Sequence, residues 1–274
     1  MITASIVLYN TDIMQLRDII NSYAPNSDRL LYLIDNSEKI LDITKLKMDL
    51  TYIRYIFNNK NLGYGAAHNI GLREAVKLGS VYHLVLNPDL RFEPAVLDEL
   101  KFFMDSNDDV VYLLPKIVYP DGKLQYLCKL LPSPFDLFLR RFLPRWKILQ
   151  KYNDRYTLKH SGYDRIINPP CLSGCFMFLR MDTIKKHNIF FDECFFMYLE
   201  DFDIIRRLHR YGKTVFYPYV TVVHDHAQES YRSMKMLLLH IHSVIKYFNK
   251  YGWFFDNERK LMNSNILSEI NNLF

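Results

Sequence analysis

Three acidic residues crowd the start of a predicted helix, in the string Glu200-Asp201-x-Asp203. Acids near a helix N-terminus are favoured by the helix dipole, so plain capping is one interpretation. However, three acids exceed what capping requires, and a largely aromatic run at 195–198 lies just ahead of them. Because apolar surroundings raise the pKa of a carboxyl toward the working range of a proton acceptor, the string is a candidate for a general base.

A second group of residues could hold a metal ion. Asp89 ends the string Asn87-Pro88-Asp89 after an apolar run, and His224 ends another apolar run. Mg²⁺ keeps several waters and takes one or two carboxylates together with substrate phosphates, so Asp89 is a candidate ligand. His224 could complete the site or contact a diphosphate. The alternatives are an ordinary Asn-Pro-Asp turn and a structural histidine.

Two further strings could bind a nucleotide. Asp35 ends an apolar run and could accept a hydrogen bond from a ribose hydroxyl or a base N–H, or form an Asx-turn with Asn36 and Ser37. Residues 61–69, Asn-Leu-Gly-Tyr-Gly-Ala-Ala-His-Asn, resemble a glycine-rich loop that brings the N–H groups of a helix start close to an anion. This loop matches neither the Walker A pattern nor the dinucleotide fingerprint.

The elements that must position these strings alternate between strand and helix over the first hundred residues. Such alternation predicts a parallel sheet with helices on both faces. Because ligands bind beyond the carboxyl ends of strands in these sheets, the polar strings that follow the strands predict a single shared site. The predicted strands are 3–9, 30–34, 52–57 and 81–86, and the predicted helices begin after Asn10 or Thr11, cover 65–77, and run from Pro94 to about Met104.

The second half of the chain is less regular, and it contains no internal repeat or linker. We therefore expect one α/β domain over residues 1–228, followed by a C-terminal helical extension over 229–274. The patterns predict strands at 110–119, 123–128 and 172–180, a turn at 120–122, a helix at 200–211, and amphipathic helices at 233–249 and 258–273.

Composition places the chain among ordinary globular proteins. It has 274 residues, 49% of them apolar and 24% charged, with only 9 Gly and 11 Pro, which excludes collagen-like and low-complexity chains. The four cysteines, Cys128, Cys171, Cys175 and Cys194, lack zinc-finger spacing and predict reduced thiols in a cytoplasmic protein. The first residues lack a signal-peptide pattern, and no uncharged apolar stretch reaches about 18 residues, so no transmembrane helix is expected.

Positive charge is concentrated in residues 128–160, which we call the basic window. It holds eight Lys or Arg against two Asp, a net charge of +6 in a chain whose net charge is +5. The window predicts an interfacial helix, interrupted by Pro144, that lies on an anionic membrane; a solvated loop or an oligomer contact is the alternative. Nucleic-acid binding is not expected, because no recognisable module accompanies the charge. The apolar residues that would face lipid are Leu137, Phe138, Leu139, Phe142, Leu143 and Trp146.

Taken in order, these strings resemble the inverting glycosyltransferases of family 2, which have the GT-A fold, and in particular their bacterial rhamnosyltransferase-like group. The resemblance covers about Ser5 to Ser230 and rests on the order and separation of the strings. It implies a Rossmann-like nucleotide-binding sheet merged with a mixed acceptor-side sheet. The strings are Tyr9-Asn10, Asp35-Asn36-Ser37, Asn61-x-Gly63-Tyr64-Gly65-x-x-x-Asn69, Leu86-Asn87-Pro88-Asp89, Ser173-Gly174-Cys175-Phe176-Met177, Phe191-Asp192-Glu193-x-Phe195-Phe196-Met197-Tyr198, Glu200-Asp201-x-Asp203-x-x-x-Arg207, Gly212 and His224.

The resemblance also implies a role for each string. Asp201 would be the general base, with Glu200 beside it, and Ser173-Gly174 would line the acceptor side. Asp89 would bind Mg²⁺ or Mn²⁺, and Asn87 stands where the family often has a further acid. Asp35 would contact the nucleotide base. The residues expected to bind the nucleotide sugar are Tyr9, Asn10, Asp35, Asn61, Gly63, Gly65, Asn69 and Asn87.

The family implies transfer of a sugar from a dTDP- or UDP-sugar, with dTDP-L-rhamnose the expected donor, to a saccharide or polyprenyl-linked acceptor with inversion. The expected pathway is surface polysaccharide or O-antigen assembly, on the cytoplasmic face of the cell membrane; a homodimer is left open. A non-catalytic carbohydrate-binding or scaffold protein is an alternative, although both Asp89 and Asp201 are present. A nucleotidyltransferase is disfavoured, because residues 9–12 are not the glycine-rich basic loop it would need after the first strand.

Overall fold

Eight strands form one mixed sheet in the computed structural model, which describes residues 1–142, 147–225 and 234–272. Across the sheet the strands are ordered β3-β2-β1-β4-β7-β6-β8-β5. The strands are β1 (Ile2–Leu8), β2 (Arg29–Asp35), β3 (Ile53–Phe57), β4 (Tyr82–Leu86), β5 (Leu90–Arg91), β6 (Val110–Val118), β7 (Phe176–Arg180) and β8 (Lys213–His224). The helices are α1 (Ile13–Tyr23), α2 (Tyr64–Lys77), α3 (Ala95–Asp105), α4 (Pro134–Phe142), α5 (Lys147–Tyr156), α6 (Met181–His187), α7 (Glu200–Leu208), α8 (Met234–Tyr251) and α9 (Asn257–Asn271).

The sheet consists of a parallel half joined to a mixed half through β7. Strands β3, β2, β1 and β4 are parallel to one another, which confirms the prediction from the alternating pattern. Strand β7 runs antiparallel to both β4 and β6, whereas β6 and β8 are parallel. Every residue of β4 is buried, as is typical of a strand covered on both faces. The carboxyl ends of β1, β2 and β4 therefore open at the same edge of the sheet.

Two local predictions were wrong. Helix α1 is capped by Asp12, whose Oδ1 accepts hydrogen bonds from the N–H groups of Met14 (2.8 Å) and Gln15 (3.1 Å), rather than by Asn10 or Thr11. Residues 123–128 form no strand: beyond the turn, their backbone reaches β6 only near its end, where the N–H of Gln125 donates to the carbonyl of Ile117 at 2.9 Å. Only isolated bridges, Val118 with Leu124 and Lys129 with Cys171, remain in that region. The strand predicted at 172–180 begins at Phe176.

The two C-terminal helices pack on the α/β domain and complete its core. Ile266 and Ile270 of α9 belong to the main hydrophobic core. Tyr247 and Phe248 of α8 form a second buried cluster with residues 195–199, directly ahead of α7. No helix within the described ranges is both long enough and apolar enough to cross a bilayer. The helical extension predicted from the sequence thus lies against the segment that carries the predicted base.

Candidate functional site

Asp201 lies in the first turn of α7, where two backbone N–H groups hold its carboxylate. The N–H of Gly174 donates to Oδ2 at 3.2 Å, and the N–H of Phe202 donates to Oδ1 at 2.9 Å. The neighbouring Glu200 is buried, and within the described residues its Oε2 has no hydrogen-bond partner. The chain enters the helix through Tyr198 and Leu199, which both have positive φ angles. This turn brings the carboxylate of Asp201 to Gly174, in the loop that precedes β7.

The electrostatic surroundings favour proton uptake by both acids. Burial raises the pKa of Glu200 well above its usual range, and the charge of Asp201 adds to the rise. Burial also raises the pKa of Asp201, against the opposing effects of Lys129 and of the N–H groups of Phe202 and Gly174. The carboxylate of Asp201 is thus a stronger base than an exposed one, and Lys129 limits the increase. The increase in basicity through burial and its limitation by Lys129 both suit a group that takes a proton near neutral pH.

Asp89 and His224 meet because β5 pairs with the end of β8. Leu90 stands opposite His224 in this antiparallel pair, and the N–H of Asp225 donates to the carbonyl of Asp89 at 3.0 Å. The imidazole Nε2 of His224 lies 3.3 Å from Oδ1 of Asp89, and Nδ1 lies 3.0 Å from Oε1 of Gln125. Gln125, which sequence analysis missed, therefore fixes the orientation of the ring.

This pair fits a divalent cation that uses few protein ligands. Burial alone lowers the pKa of His224, but Cys175 and Asp89 outweigh it and raise the pKa to about 10. The ring is then an imidazolium paired with Asp89, and it would have to release its proton to bind a metal. Two adjacent ligands of an octahedral ion at ~2.1 Å stand about 3 Å apart, close to the separation seen here. Oδ1 of Asp89 is buried without a hydrogen-bond partner in the described residues. The described ranges hold no cluster of three His, Cys, Asp or Glu able to hold a metal, so waters and phosphate oxygens would complete the shell.

The hydroxyl of Tyr64 connects the two halves of the site. It is within hydrogen-bonding distance of Oδ1 of Asn87 (3.0 Å) and of the carbonyl of Gly174 (2.8 Å). Burial, followed by the charges of Cys175, Glu200, Asp201 and Asp89, raises the pKa of Tyr64 well above its usual range. Both predicted catalytic regions therefore converge on one hydroxyl. Tyr64 was present in the recognised string but was not among the predicted site residues.

The acceptor-side string is held between this tyrosine and a second one. The hydroxyl of Tyr112, on β6, donates to the carbonyl of Ser173 at 2.7 Å. The N–H of Cys175 donates to Oγ of Ser173 at 3.3 Å. Ser173 and Gly174 thus form a supported backbone turn beside Asp201, which is where the sequence expected the acceptor.

The loop at 61–69 packs closely against Phe191 and Phe196 of the same chain. Gly63 has a φ of +88°, and a Cβ there would stand 2.2 Å from the carbonyl oxygen of Phe196. A Cβ on Gly65 would similarly strike the side chain of Phe191 at 2.8 Å. Asn69 is fully buried and exchanges hydrogen bonds with the backbone of Phe191. Gly65 and Asn69 thus hold the segment ahead of α7, and their contact with a nucleotide stays a prediction.

Asp35 has a structural role that the sequence anticipated only in part. Its buried carboxylate accepts hydrogen bonds from the N–H of Ser37 (2.8 Å), the N–H of Leu41 (3.3 Å) and the hydroxyl of Tyr55 (2.5 Å). The Asx-turn alternative is therefore present, as the bond to Ser37 shows. Contact with a nucleotide base stays a prediction, and it would require Asp35 to use its remaining lone pair or to exchange one of these partners.

Three of the remaining predicted residues line the ends of β1 and β3. Tyr9 and Asn10 are exposed directly beyond β1, and Asn10 is in the left-handed region with a φ of +52°. Asn61 is exposed, while its Oδ1 accepts from the N–H of Gly63 at 2.9 Å. Asn36 joins these loops, since its amide reaches the carbonyl of Gly63 at 3.1 Å. Tyr9, Asn10 and Asn61 are thus placed where a nucleotide could reach them.

A separate cavity of about 480 Å³ lies on the other side of α2 and α7. Its three cations are already paired with acids of this chain: Arg73 with Glu193, Lys250 with Asp192, and Arg207 with Asp203. We assign the site to the strand ends instead, because the predicted acids converge there and the cavity has no free charge to offer. The residues lining this cavity are Arg73, Asn188, Phe190, Phe191, Asp192, Glu193, Arg207 and Lys250.

Comparison with known proteins gives a family match and similar relatives. A model of Glycosyl transferase family 2 matches residues 6–204. N-acetylglucosaminyl-diphospho-decaprenol L-rhamnosyltransferase from two strains of Mycobacterium tuberculosis is 29% identical over 196 residues, which are 66% of this chain and 61% of the relative. The aligned region therefore spans less than two thirds of the relative's length.

Solved structures of similar shape include TarS from S. aureus. Its 1–349 fragment has a TM-score of 0.57 at 14% identity and covers 97% of this chain and 70% of that one. The same fragment in complex with UDP has a TM-score of 0.56 at 14% identity, with the same coverage. These comparisons confirm the expected GT-A fold with its C-terminal helical part.

Proposed function

Because the chain belongs to Glycosyl transferase family 2, we propose that it transfers a sugar from a nucleoside diphosphate to a hydroxyl of a saccharide acceptor, with inversion. The observation that carries the proposal is the position of the Tyr64 hydroxyl. It lies 3.0 Å from Oδ1 of Asn87, two residues before Asp89, and 2.8 Å from the carbonyl of Gly174, whose N–H donates to Asp201. A base on one side and a cation site on the other are what a sugar transfer from a diphosphate requires.

In the proposed reaction Asp201 accepts the proton of the acceptor hydroxyl. The acceptor oxygen forms a bond to the anomeric carbon of the donor sugar as the bond from that carbon to the diphosphate oxygen breaks. The electron pair leaves with the nucleoside diphosphate, and the proton remains on Asp201. A single displacement inverts the anomeric centre and needs no covalent nucleophile. The transition state resembles an oxocarbenium ion, so alignment of both partners contributes much of the rate.

Asp89 and His224 would hold Mg²⁺ or Mn²⁺ at the donor diphosphate. When bound, the ion neutralises the charge that develops on the leaving group. The residues of this chain prepare that position: Gln125 orients His224, and the pairing of β5 with β8 fixes Asp89 beside it. Tyr64 and Asn87 then connect this side to the turn at Gly174.

For the substrates we propose dTDP-L-rhamnose as donor and a saccharide on a polyprenyl diphosphate as acceptor, in surface polysaccharide or O-antigen assembly. Support comes from the name of the M. tuberculosis relatives, which are L-rhamnosyltransferases for N-acetylglucosaminyl-diphospho-decaprenol. A lipid-linked acceptor would also give the net charge of +6 in the basic window a purpose, at the cytoplasmic face of a membrane. A UDP-sugar is the alternative donor.

The proposal is tested by incubating the protein with a panel of dTDP- and UDP-sugars, a soluble saccharide acceptor and Mg²⁺ or Mn²⁺. We expect one donor to be consumed by the wild type and turnover to fall by at least about a hundredfold in Asp201→Asn, with nucleotide binding retained. Asp182→Asn is the matched control, because Asp182 is an exposed acid in the first turn of α6.

Other outcomes would replace parts of the proposal. Donor binding without turnover in the wild type would favour a non-catalytic carbohydrate-binding protein. Equal turnover in the wild type and Asp201→Asn would retain the transferase but remove Asp201 as its base. Consumption of a UDP-sugar alone would correct the donor.

A further inference from the structure

The outer face of α8 is apolar although it is exposed. Met234, Leu238, Ile241 and Ile245 are 72%, 61%, 39% and 42% exposed, respectively. Their spacing of four, three and four residues places them along one side of the helix. A helix of a globular protein ordinarily turns its polar side to water, so this pattern needs a partner.

Helix α4 contacts the same buried cluster as α8 and also exposes apolar side chains. Leu137 packs against the cluster that contains Tyr247 and Phe248 of α8. Phe135 and Phe138 of α4 are 62% and 57% exposed. We call the surface formed by these exposed side chains the α4–α8 face; its residues are Phe135, Phe138, Met234, Leu238, Ile241 and Ile245.

The sequence expectation for this region is corrected in part. Leu137 was expected to face lipid, but it turns inward because α8 offers it a buried aromatic cluster. Phe138 is exposed as expected. The side chains of Leu139 and Phe142, and residues 143–146 entirely, lie outside the described part of the structure.

Charge identifies the kind of partner. Residues 234–255 contain no Asp or Glu. Of their three Lys, Lys250 pairs with Asp192 and Asp203, and Lys246 donates to the carbonyl of Cys194, so the charge available to a partner is that of Lys235 and of the basic window, in which α4 lies and whose net charge is +6. A second copy of the chain would bring the same positive charge to the contact and be repelled. A bilayer with anionic headgroups offers an apolar interior for the six side chains and negative charge for the Lys and Arg of the basic window.

The buried side of α8, opposite this face, contacts the segment ahead of α7. Oγ of Ser243, which is buried, donates to the carbonyl of Met197 at 2.7 Å, four residues ahead of Asp201. Nζ of Lys129, five residues ahead of α4, lies 5.3 Å from the centre of the Phe202 ring, next to Asp201. Helix α8 therefore lies between the α4–α8 face and the segment that carries Asp201.

We propose that the α4–α8 face docks the protein on an anionic bilayer, with its apolar side chains at the level of the acyl boundary. The docking proposal extends the proposed use of a lipid-linked acceptor. It rests on that proposed function only for the reason why the protein would bind a membrane. Vesicle binding and sugar transfer are separate measurements, so each proposal can fail without the other.

The test is co-sedimentation of the full chain with two kinds of vesicle, one of phosphatidylcholine alone and one that also contains about 30% phosphatidylglycerol. The anionic lipid supplies the negative surface charge. We expect binding to the anionic vesicles that weakens with salt. The double variant Leu238→Glu/Ile241→Glu should bind at least about tenfold more weakly, because two apolar side chains no longer enter the interface. Phe102→Glu is the control, since Phe102 is 73% exposed on α3.

Three results would overturn the docking proposal. One is absence of wild-type binding to anionic vesicles, and another is equal binding by the double variant with an unchanged thermal unfolding profile. The third is a wild-type dimer in sedimentation velocity that the double variant converts to a monomer, which would assign the face to a second copy. Transfer to a soluble acceptor should remain within about twofold in the double variant, because the face lies outside the site.

Discussion

The backbone N–H of Gly174 donates to Oδ2 of Asp201 at 3.2 Å, and a Cβ added to Gly174 would stand 2.9 Å from the Cβ of Asp201. The turn ahead of β7 and the first turn of α7 therefore fit together only if residue 174 has no side chain. The carbonyl of the same residue accepts from the hydroxyl of Tyr64 at 2.8 Å. One peptide segment thus sets the position of the proposed base.

Gly174→Ala should displace the carboxylate of Asp201 without abolishing the fold. We expect kcat to fall by roughly ten- to a hundredfold, since misplacement of a reacting group by ~1 Å can cost about that factor. Steady-state kinetics with the identified donor would measure the effect. Gly79→Ala is the control: no atom lies within 4 Å of a Cβ there, so its positive φ of +66° should cost stability and leave kcat unchanged. Equal losses in both variants would contradict the prediction.

Lys129→Met should move the acid limb of the pH–rate profile to higher pH. Lys129 opposes the rise in the pKa of Asp201, so its removal leaves that carboxyl protonated over a wider range. Glu200, Tyr64 and Tyr112 also face Asp201, and burial raises the pKa of each, so they stay neutral where Asp201 titrates. Lys129→Arg should restore the wild-type limb. A limb that is identical in all three proteins would exclude this role.

Glu200→Gln should stabilise the protein at neutral pH. Because the folded pKa of Glu200 is raised, the wild type loses stability as pH rises from the unfolded value of ~4.3 toward the folded value. Glutamine does not ionise, so the difference in Tm between variant and wild type should be smallest near pH 4 and increase toward pH 8. Thermal unfolding across this range measures it. A difference that is independent of pH would indicate that Glu200 is ionised in the fold.

Asp256→Asn should destabilise the contact between α7 and the C-terminal helices. Nη1 and Nη2 of the buried Arg206 lie 2.7 and 2.6 Å from the carboxylate oxygens of Asp256. Breaking a buried pair leaves a poorly compensated charge, and we expect a loss of about 2–3 kcal/mol in the free energy of unfolding by urea, with Glu258 retaining part of the contact. Glu74→Gln, which breaks the exposed pair with Lys77, should cost less than about 1 kcal/mol.

Asp89→Asn should weaken the binding of the divalent cation that supports donor binding. We expect the Mn²⁺ concentration that supports half-maximal nucleotide binding to rise at least about tenfold, because a first ligand of a hard cation is lost. Calorimetric titration of nucleotide at several Mn²⁺ concentrations measures the shift. Asp225→Asn is the matched control, because only the backbone N–H of Asp225 contacts Asp89. Unchanged Mn²⁺ dependence in Asp89→Asn would remove Asp89 from the metal site.

Much of the parallel half of the fold followed from the sequence, because its information is local. Each of the strands β1 to β4 is a short apolar run, and each is followed by polar residues where the strand must end. The mixed half of the sheet was harder to predict from the sequence. The run at 123–128 has a strand-like composition, but only Leu124 bridges β6, whose strand partners β7 and β8 come from about 50 to 100 residues further along the chain.

The sequence by itself determined which residue types stand at the strand ends and at the start of α7, and hence the family and the kind of chemistry. Only the tertiary structure decided what each does. It assigned Asn69 and Gly65 to packing, because the 191–196 segment fills the space beside them. It also brought Gln125 to His224, and Tyr64 to Gly174, across separations of 99 and 110 residues. Such contacts carry no periodic signal along the chain, because they arise from the way distant elements stack.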